Sequence, residues 1–300
     1  MDIRAEITKS IIKLIEDGKA ANCKTPIWDK AVKFGMPRNY ATGDLYTGVN
    51  VPLLWIASAE RRYPRNDWMT YLQLQELGAK LKDGSTGTGV MGIHFKMVAR
   101  KGGKASLAAK PGTGEGDLFP AMKPFWVFNV AQIDGLPEEV NEESQPIRFS
   151  PIEQAELLIK SSGADILHGG SRAFYQPKLD AIVMPDKASF KCASNYYAVC
   201  LHELAHWTAH ESRLNRICAG KLGSDAHAFE ELVVEFGSAF VIGHVGLQQA
   251  THENHASYID AWLRVLRSDD DAIFRATRMA SAASKFILDK AELNFNTDPQ

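Results

Sequence analysis

The stretch Asn195-Tyr196-Tyr197-Ala198-Val199-Cys200-Leu201-His202-Glu203-Leu204-Ala205-His206-Trp207 decides how this chain is read. In a helix, His202 and His206 lie one turn apart on the same face, so both imidazoles reach one ion. Glu203 lies beside them, placed to take a proton from a water on that ion. This spacing, HExxH, is the signature of zinc peptidases. Tyr197, Val199, Leu201, Leu204, Ala205 and Trp207 are apolar or aromatic, as a buried catalytic helix requires.

Two histidines do not complete a catalytic site, which takes three protein ligands and leaves one position open. His210 is one turn beyond His206, and on a straight helix three such residues drift apart along the axis. The segment Ala228-Phe229-Glu230-Glu231-Leu232-Val233-Val234-Glu235-Phe236 offers carboxylates on a second apolar helix. Glu231 is the candidate third ligand and Glu230 its rival, since no spacing rule separates them. Glu235, one turn after Glu231, is placed to support a ligating histidine from behind. The arrangement resembles the surroundings of the glutamate ligand in thermolysin-like enzymes. The expected ion is Zn2+, with Mn2+ or Co2+ as other divalent occupants. Tyr175, Tyr196, Tyr197, His227 and His244 are all open as oxyanion partners.

Outward from this segment, 300 residues suggest two domains. Residues 1–137 hold 19 Lys+Arg against 13 Asp+Glu, a net +6, while the remaining 15 and 23 give the rest −8. A basic half joined to an acidic half points to a polyanion partner for the first half alone. Cys23, Cys192, Cys200 and Cys218 show no CxxC spacing and read as reduced, buried thiols of a cytoplasmic protein. The charged start is not a secretory signal, and no apolar run approaches a membrane span, so no membrane partner is expected.

The first half reads as a small α+β unit. Ile3, Ile7, Ile11, Leu14 and Ile15 recur at helical spacing up to Gly18. Asn50 is placed to cap a helix with Pro52 in its first turn, and Thr70 to Leu81 reads as another helix. Ile93 to Val98 alternates as a half-exposed strand, and Pro124 to Val130 reads as a strand buried on both faces. Aromatics interleaved with cations suit single-stranded nucleic acid, where rings stack on bases and cations follow phosphates. Arg61, Arg62, Arg65, Lys80, Lys82, Lys96 and Arg100 are the candidate phosphate contacts. Trp28, Tyr40, Tyr46, Trp55, Tyr63 and Trp68 are the candidate stackers. An acidic, proline-bearing linker spans 138–150. The second domain, 151–300, opens on a helix capped by Ser150 with Glu153. Ile182-Val183-Met184 is the candidate strand beside the metal helix, where an extended substrate can pair.

Longer strings carry a resemblance. In the first half these are Tyr46-x-Gly48-x-Asn50, Trp68-x-Thr70-x-x-Gln73-x-x-x-x-Gly78 and Phe125-x-Val127-Phe128-Asn129-x-x-Gln132-x-x-Gly135-Leu136-Pro137. In the second they are His202-Glu203-Leu204-Ala205-His206-Trp207-Thr208, Arg213-Leu214-Asn215-Arg216 and Phe229-Glu230-Glu231-Leu232-Val233-x-Glu235. Over nearly its whole length the chain resembles the ArdC family of plasmid-borne antirestriction proteins. The resemblance implies a single-stranded-DNA-binding domain before a zincin-like metallopeptidase domain, and protection of incoming DNA from host restriction. Two other readings stand beside it. One is a DNA-tethered protease whose substrate is a restriction-system or other DNA-bound protein. The other is a DNA-binding protein whose metal is structural or vestigial.

Overall fold

The computed structural model describes residues 3–20, 32, 35–85, 89–101, 104–106, 118–136, 150–216, 223–247 and 255–291. The candidate linker 138–150 except for Ser150, together with Trp28, Cys23 and Cys218, lies outside them.

The first unit begins with α1 (Ile3–Ala20), two residues longer than Gly18 suggested. Its sheet has five strands in the order β1-β2-β6-β4-β5. These are β1 (Arg38–Asn39), β2 (Asp67–Thr70), β4 (Val90–Lys101), β5 (Lys104–Ser106) and β6 (Leu118–Asn129). The long pair β4–β6 runs antiparallel from Val90↔Val127 to Ala99↔Leu118. Helix α2 (Asn50–Arg61) packs Leu54 and Ala57 against Trp68 and Val127 of this sheet. The expected helix from Thr70 to Leu81 is shorter. Thr70 and Gln73 form a capping box that starts α3 (Tyr71–Glu76), which stops before Gly78, and Lys80–Leu81 is a strand, β3, paired with β7 (Ile133–Asp134). The helical spacing of Leu72 and Leu77 misleads, because both side chains are exposed. Nor is β6 buried on both faces: Val127 and Phe128 are inside, but Trp126 is 57% exposed.

Asn50 does not cap α2. Its side chain turns to β4, accepting from the Ile93 N–H (2.7 Å) and donating to the Ile93 carbonyl (2.9 Å). It thereby acts as a one-residue strand on an edge that β5 reaches only at Ala99–Lys101. Two backbone groups are satisfied this way, which outweighs a cap worth ~1 kcal/mol.

The second unit opens on α4 (Pro151–Ser162), with the expected Ser150–Glu153 capping box and Gly163 at the left-handed end. A three-stranded sheet follows in the order β8-β10-β9: β8 (Asp165–His168), β9 (Phe174–Gln176), β10 (Ala181–Met184). Then come α5 (Ala193–Trp207), α6 (Asp225–Val245), α7 (His255–Ser268) and α8 (Ala272–Lys290). Helix α6 is buried almost all round and packs against α5, α7 and α8. A helix apolar on every side belongs at the centre of its domain.

The two units share one apolar core. Ile7, Ile11 and Ile15 of α1 and Trp55 of α2 cluster with Phe236, Phe240, Trp262 and Leu266. The Trp55 and Phe240 rings lie 5.7 Å apart. Arg4 pairs with Asp271 at 2.8 Å, and the Thr8 hydroxyl donates to the Asp270 carbonyl at 2.8 Å. Trp55 and Trp68 are completely buried, so they are core residues and not stackers. Of the described cysteines, Cys200 is buried but Cys192 is exposed, against expectation.

Candidate metal centre

Helix α5 presents His202 and His206 inward, their rings 5.2 Å apart. Helix α6 crosses opposite them. His202 Nε2 lies 3.7 Å from one oxygen of Glu231, and His206 Nε2 lies 3.4 Å from the other. One donor atom from each of His202, His206 and Glu231 falls within 4.8 Å of the others. Such separations exceed a hydrogen bond but match two ligands of one tetrahedral ion, which at ~2.1 Å bonds stand ~3.4 Å apart. The three residues therefore fit a divalent ion.

Each imidazole turns its other nitrogen to a further glutamate of α6. His202 Nδ1 faces Glu235 at 3.8 Å, as the spacing suggested. His206 Nδ1 faces Glu230 at 3.7 Å. Glu230 therefore faces the far nitrogen of His206, away from the Glu231 carboxylate that both Nε2 atoms approach. It backs His206, and Arg216 clamps it, with guanidinium nitrogens at 2.7 and 3.3 Å from its two oxygens. The same guanidinium donates to the Thr208 hydroxyl (2.7 Å) and the Ala205 carbonyl (2.8 Å), closing the end of α5.

The electrostatics favour a cation between these groups. Burial alone would raise the Glu231 carboxyl, but the imidazoles of His202 and His206 outweigh it and hold it far below the usual carboxylate range. Burial would likewise lower His206, yet Glu230 and Glu231 push it up to about 10. Carboxylates that hold a proton this tightly on an imidazole attract a divalent ion for the same reason.

Glu203 is buried and accepts from the Tyr175 backbone N–H at 2.9 Å. Tyr175 belongs to β9, so the strand flanking the metal helix at Glu203 is β9. The expected Ile182–Met184 segment is the central strand, with both edges occupied by β8 and β9. Sequence periodicity does not report which of three short strands lies inside. Arg213 anchors the approach: it donates to the Trp207 carbonyl (2.7 Å) and Asp180 Oδ2 (2.9 Å), and its guanidinium lies 3.7 Å over the Trp207 ring. Asp180 in turn accepts from the Tyr175 hydroxyl at 2.8 Å.

Of the open oxyanion candidates, His227 lies beside the cluster, with Nε2 3.5 Å from Glu231. The Tyr175 hydroxyl is engaged by Asp180, the Tyr196 hydroxyl lies 3.0 Å from His168, and Tyr197 donates to Glu156. His210 turns to Ser212 and does not join the cluster. Tyr258, whose ring lies 5.9 Å from that of His227, is a neighbour the sequence did not flag. Burial raises its phenol, and the charges of Glu231 and Glu203 raise it further.

The expected DNA contacts are dispersed. Arg61 and Arg62 sit exposed at the end of α2, and Lys80 is exposed on β3. Arg65 pairs with Asp67 at 2.7 Å. Lys96 and Arg100 fall on β4, with side chains outside the described residues.

Fold and site together define a two-domain protein, its second domain a zincin-like metallopeptidase domain. Residues 153–279 match the family described as zincin-like metallopeptidase, and residues 1–128 the N-terminal domain of anti-restriction factor ArdC. The chain is 38% identical to the uncharacterized protein y4eC of Sinorhizobium fredii, over 95% of this chain and 91% of that protein. It is 37% and 36% identical to two Escherichia coli DNA primase TraC sequences, of whose length it spans 26% and 19%. Among solved structures it resembles the metal-free antirestriction ArdC protein from plasmid R388 (TM-score 0.79, 34% identity, covering 97% of this chain and 98% of that one). The Mn(II)-bound form of that protein gives 0.77, 33%, 98% and 100%. The chain belongs to the ArdC family of antirestriction proteins.

Proposed function

We propose that the chain protects incoming DNA from host restriction in the cytoplasm by binding single-stranded DNA and cleaving a protein encountered there. The division is 1–137 for DNA, 138–150 as linker and 151–300 as the zinc-dependent metallopeptidase. The observation carrying the enzymatic part is that His202 and His206 both direct Nε2 at the Glu231 carboxylate. His202, His206 and Glu231 hold the ion, and Glu235 and Glu230 orient the two imidazoles from behind. Zn2+ is the proposed occupant, and the Mn(II)-bound relative supports a divalent ion. A divalent ion there acts as a Lewis acid and makes water nucleophilic near neutral pH. Glu203, held by the Tyr175 N–H, takes the proton of the attacking water and returns it to the leaving amine. His227 stands across Glu231, where its N–H donates to charge developing on the substrate. Arg61, Arg62 and Lys80, which are exposed, together with Arg65, Lys96 and Arg100, draw the strand toward the first unit. No described helix is long and apolar enough to cross a membrane.

The test is DNA transfer into a restricting host carrying full-length Glu203→Ala. The expected result is lost protection with oligonucleotide binding intact. Unchanged protection would remove proteolysis from the function and leave a DNA-binding protein with a structural metal.

A further inference from the structure

We propose that the single strand lies in the cleft between the sheet of the first unit and helix α8, so that both halves of the chain grip it. This rests on the DNA-binding reading above and gives it a location.

The cleft has a volume of about 1030 Å³. That is at or above the ~300–1,000 Å³ typical of small-molecule sites, with space for more than one nucleotide. One wall is the Tyr46–Asn50 turn with His94 and Phe125; the other is Phe274, Arg275 and Arg278 of α8. The walls are tied together where the Gly48 N–H donates to the Ser281 hydroxyl at 3.0 Å.

The sheet wall carries a built aromatic platform. Gly92 and Phe125 are opposite each other in register. A Cβ at residue 92 would lie 2.5 Å from Phe125 Cζ, so the phenyl tip occupies space that only a glycine leaves. His94, two residues on and on the same face, stacks on that ring at 4.1 Å and 26°. His94 is exposed, so a flat ring backed by a second ring is offered to the cleft. A nucleobase extends such a stack irrespective of its identity.

The opposite wall supplies charge. Arg4, Arg275 and Arg278 line the cleft together with Asp44 and Asp271. Arg4 is taken up by Asp271 at 2.8 Å and Arg275 by Asp269 at 2.7 Å. Arg278 is exposed and has no side-chain partner among the described residues. It is the cation left for a phosphate, and it belongs to the acidic half of the chain. A duplex keeps its base faces stacked inside and cannot use the His94 ring, which is why the occupant is single-stranded.

The experiment is fluorescence anisotropy of the full-length protein with a labelled oligo-dT, across a salt series, with the unlabelled duplex as competitor. His94→Ala is expected to weaken binding about tenfold with the salt slope unchanged. Arg278→Ala is expected to weaken it several-fold and to lower the slope by roughly 0.7, one phosphate contact. Lys285→Ala, an exposed cation of α8 outside the cleft, is expected to stay within about twofold of wild type. Both test residues are exposed, so these variants fold. If wild type binds the oligonucleotide but His94→Ala and Arg278→Ala bind equally well, or the duplex competes as strongly, the cleft is rejected while the DNA reading stands. If wild type does not bind it, the DNA reading itself falls and the location with it.

Discussion

Replacing Arg216 by alanine probes how the metal site is held. Arg216 and Glu230 are paired with only 6% of either side chain exposed. Removing the guanidinium leaves the Glu230 carboxylate buried with His206 alone, and takes a donor from the Ala205 carbonyl and the Thr208 hydroxyl. Breaking a buried pair on one side costs about 3–5 kcal/mol. At roughly 2–4 °C per kcal/mol for a domain of this size, the midpoint falls by about 10 °C. The assay is thermal and urea unfolding of the metal-free protein. The double variant Arg216→Met, Glu230→Leu leaves no unpaired charge and is expected to recover most of that stability. Its affinity for a divalent ion still drops about 10–100-fold, because His206 Nδ1 has lost its acceptor. A loss below about 1 kcal/mol for Arg216→Ala, or undiminished metal affinity in the double variant, would show that the Arg216–Glu230 pair does not hold the site.

Two further outcomes are expected. Gly92→Ala drives the Phe125 ring off β4 and costs about 1–3 kcal/mol, read by urea unfolding; a crystal structure with the ring unmoved would contradict it. Burial pulls the His244 imidazole down from 6.5 to about 4, so the folded chain resists protonating it. Its contribution to stability is therefore complete above pH 6.5 and is lost as the pH falls toward 4. It totals about 3 kcal/mol, order of magnitude, and should vanish from the pH profile of unfolding in His244→Gln.

The metal site was legible because its geometry is local. Four-residue spacing on α5 and the Glu231–Glu235 spacing on α6 dictate which face each side chain takes. The choice between Glu231 and Glu230 was not legible, since it depends on how two helices cross. A buried Arg216 fourteen positions before Glu230 leaves no periodic trace. The first unit was read less well, because turn chemistry overrode apolar spacing. Asn50 completed a strand edge where a helix cap was expected, and the Thr70–Gln73 box started a helix that Gly78 ended early. Trp55 and Trp68 read as surface rings because composition cannot say that α1 and α2 share a core with α6 and α7. For the same reason a net-acidic half gives no sign that Arg278 lines a cleft with the sheet of the first unit.

In the proposed centre, His202, His206 and Glu231 hold one divalent ion while Glu203 stands beside it as a base. Calorimetric titration of the metal-free full-length protein with Mn2+ and Zn2+ tests this most directly. One ion per chain is expected for wild type and for Glu203→Gln with similar affinity, and binding weakened by at least about 100-fold for Glu231→Gln. Wild-type affinity in Glu231→Gln, or an ion lost in Glu203→Gln, would contradict it.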